Sequence, residues 1–573
     1  MSEKKKTSST VIDRFGGVDH TKAYVDIFSA EKIENFRILN DGSLEKRCGC
    51  KFLHHLGYSI RTVYSCCING VPILFALISN TVYTYITAKD KPLSQIGTVS
   101  TTSGNACFFY YRETLYLLDG KNIYEYSDGV IKAVEGYVPL VAKNWPTTVP
   151  GEINEPRNIL TRHARATYTV DRESIYLCVQ DEVESVEALY VNGMLMPSET
   201  YSIDNKFKTV NVQGLTVGDR VEIYFTYKNG YDELFERLCS STSSALFGGI
   251  GRNRIFLCGN NGTGTVFSSK SVGPDSITQS RKHYPESGSL YFPSGYEFEA
   301  GDGISEVKAI TRLYDRLVIF TENDVWIVDP NDVNSDLATT SSANANIGCP
   351  VANGATLSEN IPISIGRHSV FAWDPASENK LNAKNISLPV SDELNEEFLS
   401  GCGIYYDVTR NELWIYNQSF PKVWIYNTLL KVWYSFTNIS PEMVFDFGGS
   451  VAFIKNGSIY VFDESIHVDY SSASSLTIIT GLYTSNYSEL GEMGKKNLRS
   501  VTVKAEFLEG SVLFSFDTPE HQKTTYTINH PNGEKYVKKT FRYPVTRYER
   551  ASFTITATGW GQQKILSLTL TQR

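Results

Sequence analysis

Little in this chain invites disulfide, membrane or enzyme chemistry. Ten cysteines in 573 residues are too sparse for a disulfide scaffold, which small secreted domains use when their core is insufficient. No long apolar run is present. The nearest approach, Gly70 to Ala88, is broken by Ser79, Asn80, Thr81, Thr84 and Thr87, and its alternating β-branched texture reads as two strands around a turn instead of a membrane span. At the N-terminus, Lys4, Lys5 and Lys6 lead to Val11-Ile12, which gives way at once to Asp13-Arg14. A secretory signal needs an apolar h-region there, so cytoplasmic synthesis and folding are expected. Positive charge is also short: 54 Lys and Arg stand against 63 Asp and Glu, a net charge of -9. Nucleic-acid clamps draw their affinity from cations on phosphates, so a stable nucleic-acid binder is not expected.

Aromatic residues and glycine are what the chain does have. It holds 35 Tyr, 29 Phe and 42 Gly against 5 Met, a balance that favours pleated strands joined by tight turns over helix bundles. With 41% hydrophobic and 20% charged residues the composition is that of a folded globular protein. Its length predicts two to four domains.

The pattern along the chain is all-β. Short apolar runs alternate with Gly, Asn and Asp turns: Thr114–Gly120 and Asn122–Gly129, Arg316–Thr321 and Asp324–Val328, Glu412–Asn417 and Lys422–Tyr426, Val451–Gly457 and Ser458–Phe462. Repeated hairpins without intervening helices are the mark of propeller blades. Between Pro156 and Asn229 the turn signals recur every 8 to 12 residues, which predicts a small β-sandwich inserted into the propeller. Tyr231–Leu238 and Asp392–Leu399 are helix candidates. Asp469 to Ser475 reads as a linker, and the alternating runs after it predict a C-terminal β-sandwich. The expected division is therefore 1–155 as the N-terminal part of the propeller, 156–230 as the inserted sandwich, 231–470 as the rest of the propeller and 471–573 as the C-terminal sandwich.

Candidate chemistry is thin. Cys48, Cys50, Cys66 and Cys67, with His54 and His55 between them, offer soft zinc ligands. However, C-x-C and C-C pairs lack knuckle spacing, and neighbouring strand residues point to opposite faces; buried reduced thiols are the expectation. Asp332, Asn334 and Asp336 begin like a calcium loop, but Leu337 replaces the turn glycine and Ala343 the bidentate Glu. Lys495 and Lys496 follow an imperfect P-loop imitation and read as solvated or interface charges. From Lys535 to Arg550 cations interleave with aromatics as in single-strand binders, although strands with aromatics inward and cations outward give the same pattern. No G-x-S-x-G, H-E-x-x-H, G-x-G-x-x-G or Walker motif is present. The expectation is a chain that is not an enzyme, with no catalytic, cofactor-binding or metal residues and no cofactor.

The most specific segment is Asp13-Arg14-Phe15-Gly16-Gly17-Val18, followed by Asn35-Phe36-Arg37-Ile38 and Asp41-Gly42-Ser43-Leu44-Glu45-Lys46-Arg47. It resembles the opening of the tail nozzle proteins of short-tailed bacteriophages, the group that includes tail tubular protein B and the packaged-DNA stabilisation protein. That opening runs F-x-G-G-[LV], N-[FYM]-R-[VIL], D-G-[SA]-L-x-K-R-P-G; here Cys48 replaces the proline. Arg252–Asn260, and Val307–Val328 with Asp315–Thr321 and Val325-Trp326, resemble blades of the same proteins. The resemblance implies a virion protein assembled in the host cytoplasm, a homohexameric tube below the portal and adaptor. It implies a tail needle, fibre or distal tail protein as the lower neighbour, retention of the packaged double-stranded DNA, and its passage at ejection. An alternative is a distal host-adhesion protein that binds surface glycan, and a further one a propeller enzyme acting on polysaccharide.

Overall fold

The strands close into a ring. The computed structural model describes residues 7–573 except 22–26, 69, 88–91, 148, 174–175, 248–253, 261, 271–289, 302, 304, 330–339, 378–379, 473, 491–493 and 530–533. Among the described residues, seven four-stranded antiparallel sheets succeed one another as blades, with inner strands Ile60–Ile68, Cys107–Tyr111, Ser243–Phe247, Val307–Leu313, Ala355–Ser358, Gly403–Asp407 and Met443–Phe447. Each inner strand lies against the next, and the seventh lies against the first. The protein is thus an all-β propeller with sandwich attachments. The outer strand of blade 7 is Gly49–His55, which pairs with Ser458–Asp463. A segment from before blade 1 therefore completes the last blade and ties the ring shut.

Tight turns fit the local sequence. The Gly70–Ala88 window folds as the hairpin Val71–Ile78 and Thr81–Tyr85 with Ser79 in the left-handed region, and no helix among the described residues is long and apolar enough to cross a membrane. The two helix candidates are placed at Asp232–Cys239 and, shortened to one turn, Glu396–Leu399, where the Asn395 side chain accepts from the Phe398 amide.

The inserted unit runs between blades 2 and 3. Its larger sheet starts earlier than Pro156, because Leu140–Pro146 pairs in parallel with His163–Thr169. That sheet packs on the smaller sheet of Tyr176–Cys178, Thr209–Val212 and Tyr201–Asp204 around a core that includes Trp145, Tyr168, Leu189 and Phe225.

Among the described residues up to Lys46, no strand is one of the four strands of a blade. Ser8–Ile12 pairs with Gln563–Gln572, Phe36–Ile38 pairs with Leu44–Lys46, and the latter reaches the same C-terminal strand. Ala30–Glu34 lies between the outer strand of blade 6, Val432–Thr437, and Thr480–Ser485. Blade 6 thereby continues into one sheet of the C-terminal sandwich, giving a single nine-stranded sheet. The physical reason is unpaired edges: the outer edge of blade 6 and the edge of the sandwich both need a partner, and one strand serves both. Packing follows the same seam. Trp414, fully buried, meets Phe436 edge-to-face at 5.5 Å and Phe462 at 5.3 Å, joining blades 6 and 7. Such pairs contribute about 0.5–1.5 kcal/mol beyond their buried area.

Candidate functional site: a buried charged junction

Asp13–Val18 and Asn35–Arg47 converge on the seam between propeller and C-terminal sandwich. Phe15 is buried edge-to-face against Tyr483 at 5.2 Å. Gly16 and Gly17 follow because nothing larger fits. A Cβ on Gly16 would lie 2.6 Å from the Phe28 carbonyl oxygen, and one on Gly17 would lie 2.7 Å from Val432 Cβ and 2.9 Å from the Trp433 nitrogen. This close approach lets the Val18 amide donate to the Trp433 carbonyl at 2.9 Å.

Two guanidinium groups are buried here. Arg37 donates from Nε to Glu412 Oε1 at 2.6 Å and from Nη2 to Oε2 at 3.2 Å, with Tyr434 Oη donating to the same Oε1 at 2.8 Å. Its plane sits 5.0 Å from the Phe436 ring centroid. Burial works against the Arg37 charge, but the Glu412 carboxylate beside it outweighs that and holds its pKa well above the ordinary value. Burial, and then the same carboxylate, push the Tyr434 phenol well up.

Arg47 is 1% exposed. All five of its N–H donors are used: Nε on Asn35 Oδ1 (2.9 Å), Nη1 on the Cys48 carbonyl (3.1 Å) and Asp469 Oδ1 (2.8 Å), Nη2 on the Thr437 carbonyl (3.4 Å) and Asp469 Oδ2 (2.6 Å). A guanidinium has five such donors and no acceptor, so this site saturates it. Asn35 sits in the left-handed region at φ 55 and cross-links further, donating to Thr437 Oγ1 and to the Thr480 carbonyl. Asparagine tolerates that conformation better than most residues. One cluster thus ties the N-terminal segment, blade 6, the strand Val468–Tyr470 and the first sandwich strand.

The rest of the motif serves the same seam. Asp41 accepts from the Ser43 amide at 3.0 Å and from its hydroxyl, with Gly42 at φ 83 completing the turn, and Lys564 Nζ lies 2.8 Å away. Burial pushes the Asp41 carboxyl up, yet the bonds from Lys564 and Ser43 prevail and lower it to about 2. Lys46, 1% exposed, donates to the Gly559 carbonyl at 2.6 Å, and burial together with the Arg47 charge lowers its pKa to about 8. The Cys48 thiol accepts from Arg37 Nη1 at 3.8 Å. A Cβ on Gly49 would fall 1.9 Å from the Val468 carbonyl oxygen.

Several candidates read from the sequence stand elsewhere. All ten cysteines are free thiols. Cys48 and Cys50 are at the junction while Cys66 and Cys67 lie on the inner strand of blade 1, and no group of three or more metal-ligating residues gathers among the described residues. His54 packs against Tyr85, and His55 Nδ1 is 2.9 Å from Ser458 Oγ. The start of the calcium-like loop, Asp332 to Leu337, is outside the described residues. Lys496 corrects the expectation of a solvated charge: it is 6% exposed and its ammonium donates to the Glu489 carbonyl. In the Lys535–Arg550 stretch Phe541, Tyr543 and Tyr548 are buried while Lys538, Lys539 and Arg542 are exposed. The alternating-face reading holds there, with Tyr536 as an exposed exception. Asp469, expected in a linker, is instead an anchor in a strand paired with Leu476–Ile478. Neither it nor Glu412 was singled out in the sequence.

A separate cleft of about 600 Å³ opens between blades 4, 5 and 6. Two carboxylates, Glu322 and Glu396, line it together with Lys308 and Arg367, and Arg367 Nη2 pairs with Glu322 at 3.0 Å.

No family model matches the chain. No curated protein matches it either. Among solved structures it is similar to the carbohydrate-binding module TmCBM61 in complex with β-1,4-galactotriose (9% identity, 16% of this chain and 63% of that one, TM-score 0.14). It is also similar to the enzymatically active domain of bacteriophage CBA120 tailspike protein 4 (14% identity, 16% of this chain and 14% of that one, TM-score 0.13). A third is a glycoside hydrolase family 43 arabinoxylan arabinofuranohydrolase from Bacillus subtilis in complex with cellotetraose (9% identity, 91% of this chain and 96% of that one, TM-score 0.22). This chain spans less than two thirds of the length of the first two. The expectation of a chain that is not an enzyme is corrected here, because two of these three neighbours are enzymes or enzyme domains. At these TM-scores the likenesses carry no argument about which chemistry.

Proposed function

We propose that this chain is a virion protein of a short-tailed bacteriophage tail, built as the nozzle below the portal and adaptor. In this reading it forms a homo-oligomeric tube that retains the packaged DNA and conducts it at ejection, with distal tail proteins below. The observation that carries the reading is the placement of the resembling segment. Arg37, Lys46 and Arg47 are all buried at the seam where propeller and sandwich meet, and Phe15, Gly16 and Gly17 pack into the same seam. Residues spent on locking two units into one rigid body suit a part that bears mechanical load. Light scattering of the full chain over a range of concentrations, with negative-stain images, tests it. Closed rings, alone or on addition of the portal and adaptor complex, support the nozzle; a monomer under both conditions overturns it.

A second reading, host adhesion through surface glycan, is favoured by a different observation. Phe207 on the inserted sandwich is 68% exposed and Trp560 on the C-terminal one is 51% exposed, and exposed rings of this kind are the platforms on which sugars stack. A ligand that binds only the folded state raises the unfolding midpoint. Thermal unfolding with β-1,4-galactotriose and with cellotetraose, the sugars held by two of the similar structures, is the first test. A rise that Phe207→Ala or Trp560→Ala removes favours adhesion. Release of new reducing ends, abolished by Glu322→Gln or Glu396→Gln, moves the protein to the polysaccharide-active class.

A further inference from the structure

Charge is spread unevenly along the chain. Residues 491–573 hold 13 Lys and Arg against 7 Asp and Glu, whereas residues 1–490 hold 41 against 56. Three of these cations, Lys504, Lys538 and Arg542, stand on the outer face of one sheet. In the strand Lys496–Phe507, Val501, Val503, Ala505 and Phe507 face the core, and Ser500, Thr502, Lys504 and Glu506 alternate with them. Across from these on Tyr536–Tyr548 stand Arg542, Thr540, Lys538 and Tyr536. Lys504 and Lys538 are directly opposite each other, an arrangement of like charges that destabilises a sheet. Thr502 and Thr540 next to them share a hydroxyl hydrogen bond of 2.9 Å. Among the described residues no carboxylate pairs with Lys504, Lys538 or Arg542, and Glu506 is taken by Lys535.

Protection of a free edge explains only part of this. Tyr536–Tyr548 is the last strand of its sheet, and lysines on such a strand guard it against pairing with another chain. Lys504 lies on an interior strand, paired on both sides, where no edge needs guarding. Lys504 is half-buried there, and the fold alone offers no gain that offsets the like-charge pair.

We infer that this sheet face docks on an acidic surface of a second copy of the chain. The complement is present in the same molecule: Asp392, Glu393, Glu396 and Glu397 put four exposed carboxylates within six residues, where His20, Lys422 and His368 of the same chain face Asp392, Glu393 and Glu396 and only partly offset their charge. Two copies of a basic face repel, so the contact is heterologous, head to tail, the type that generates rings or filaments. The inference rests on the oligomeric part of the proposed function and assigns it a surface.

Sedimentation velocity of the full chain at 50 and 500 mM NaCl tests it, with Lys504→Glu/Lys538→Glu and the single Lys538→Glu variant alongside. Expected are association at 50 mM, dissociation at 500 mM, and at least tenfold weaker association for both variants, with the unfolding midpoint of the single variant no lower than that of the natural chain. The single variant sets an acid opposite Lys504 and keeps the test open should the double one not fold. Association equal at both salts and in the variants overturns this face while the oligomeric reading stands. A monomer throughout overturns this face, and the oligomeric reading falls with it only where the chain also stays monomeric beside the portal and adaptor complex. A 40-base-pair DNA duplex bound by the natural chain and lost by the variants, without self-association, overturns the inference in favour of nucleic acid.

Discussion

Arg47 and Asp469 lie 422 residues apart in the chain and meet in a two-pronged ion pair, with N···O distances of 2.8 and 2.6 Å. The arginine is buried and the aspartate mostly so. Asp469 also accepts from the Cys50 amide at 3.2 Å, so one carboxylate fixes the outer strand of blade 7 and the exit toward the sandwich together. Breaking one side of such a pair costs about 3–5 kcal/mol, because the remaining charge stays buried and unpaired, whereas an apolar replacement of both sides is often neutral. Asp469→Ala is therefore expected to lose stability in that range in urea unfolding, and Arg47→Met/Asp469→Leu to recover most of it.

The pairing also shows what the sequence could reveal. Blade strands and their turns were legible because each hairpin closes within about ten residues, and the apolar runs state their own period. The motif Asp41 to Arg47 was legible as a likeness, but its partners were not. Glu412 opens a blade strand amid Leu413, Trp414 and Ile415, and Asp469 precedes a serine-rich stretch. Nothing local marks either as an anchor, since ion pairs across hundreds of residues leave no local spacing. For the same reason the first 46 residues read as propeller. Strands such as Ala30–Glu34 look alike whether they pair with a blade or with a sandwich, and only the long-range register decides.

Lys46 makes stability depend on pH. Burial and then Arg47 set its pKa at about 8 in the folded chain, against about 10.4 unfolded. Below pH 8 it is charged in both states and the full cost of burying the charge is present. Between pH 8 and about 10.4 the folded state has released the proton while the unfolded state still holds it, so stability contributed by this group rises with pH. Each unit is worth about 1.4 kcal/mol, so the rise amounts to about 3 kcal/mol. The difference in unfolding free energy between the natural chain and Lys46→Met isolates it from other titrations. That difference is expected to move in favour of the natural chain across the window and to be flat from pH 6 to 7.

Gly49 has no room for a side chain. A methyl group there would overlap the Val468 carbonyl, and the Gly49 amide donates to the Ile466 carbonyl at 2.6 Å. Both contacts are backbone and cannot swing aside, so Gly49→Ala is expected to pry Val468–Tyr470 from blade 7 and cost more than 2 kcal/mol, within the range of overpacked sites. Gly70→Ala is the control. It has a left-handed φ of 76 but nothing within 4 Å of the added carbon, and it is expected to cost about 1–2 kcal/mol through backbone conformation alone. Unfolding midpoints of the two variants separate steric overlap from conformational strain.

Thiol accessibility tests the placement of the cysteines. Cys67 is exposed, Cys66 and Cys178 are partly so, and the other seven are buried. Alkylation proceeds through the thiolate, and burial pushes Cys107, Cys349 and Cys402 up to about 12, so both access and ionisation oppose reaction at the buried sites. Iodoacetamide at pH 8 followed by peptide mass spectrometry is expected to label Cys67 first, Cys66 and Cys178 slowly, and the rest only in denaturant. The same preparation tests the zinc alternative directly. If Cys48, Cys50, Cys66 and Cys67 shared a metal, a chelator would speed labelling at all four together and lower the unfolding midpoint, because metal-binding free energy is folding free energy in such sites. With Cys48 and Cys50 at the junction and Cys66 and Cys67 on the inner strand of blade 1, the expected outcome is a chelator that changes neither the order of labelling nor the midpoint.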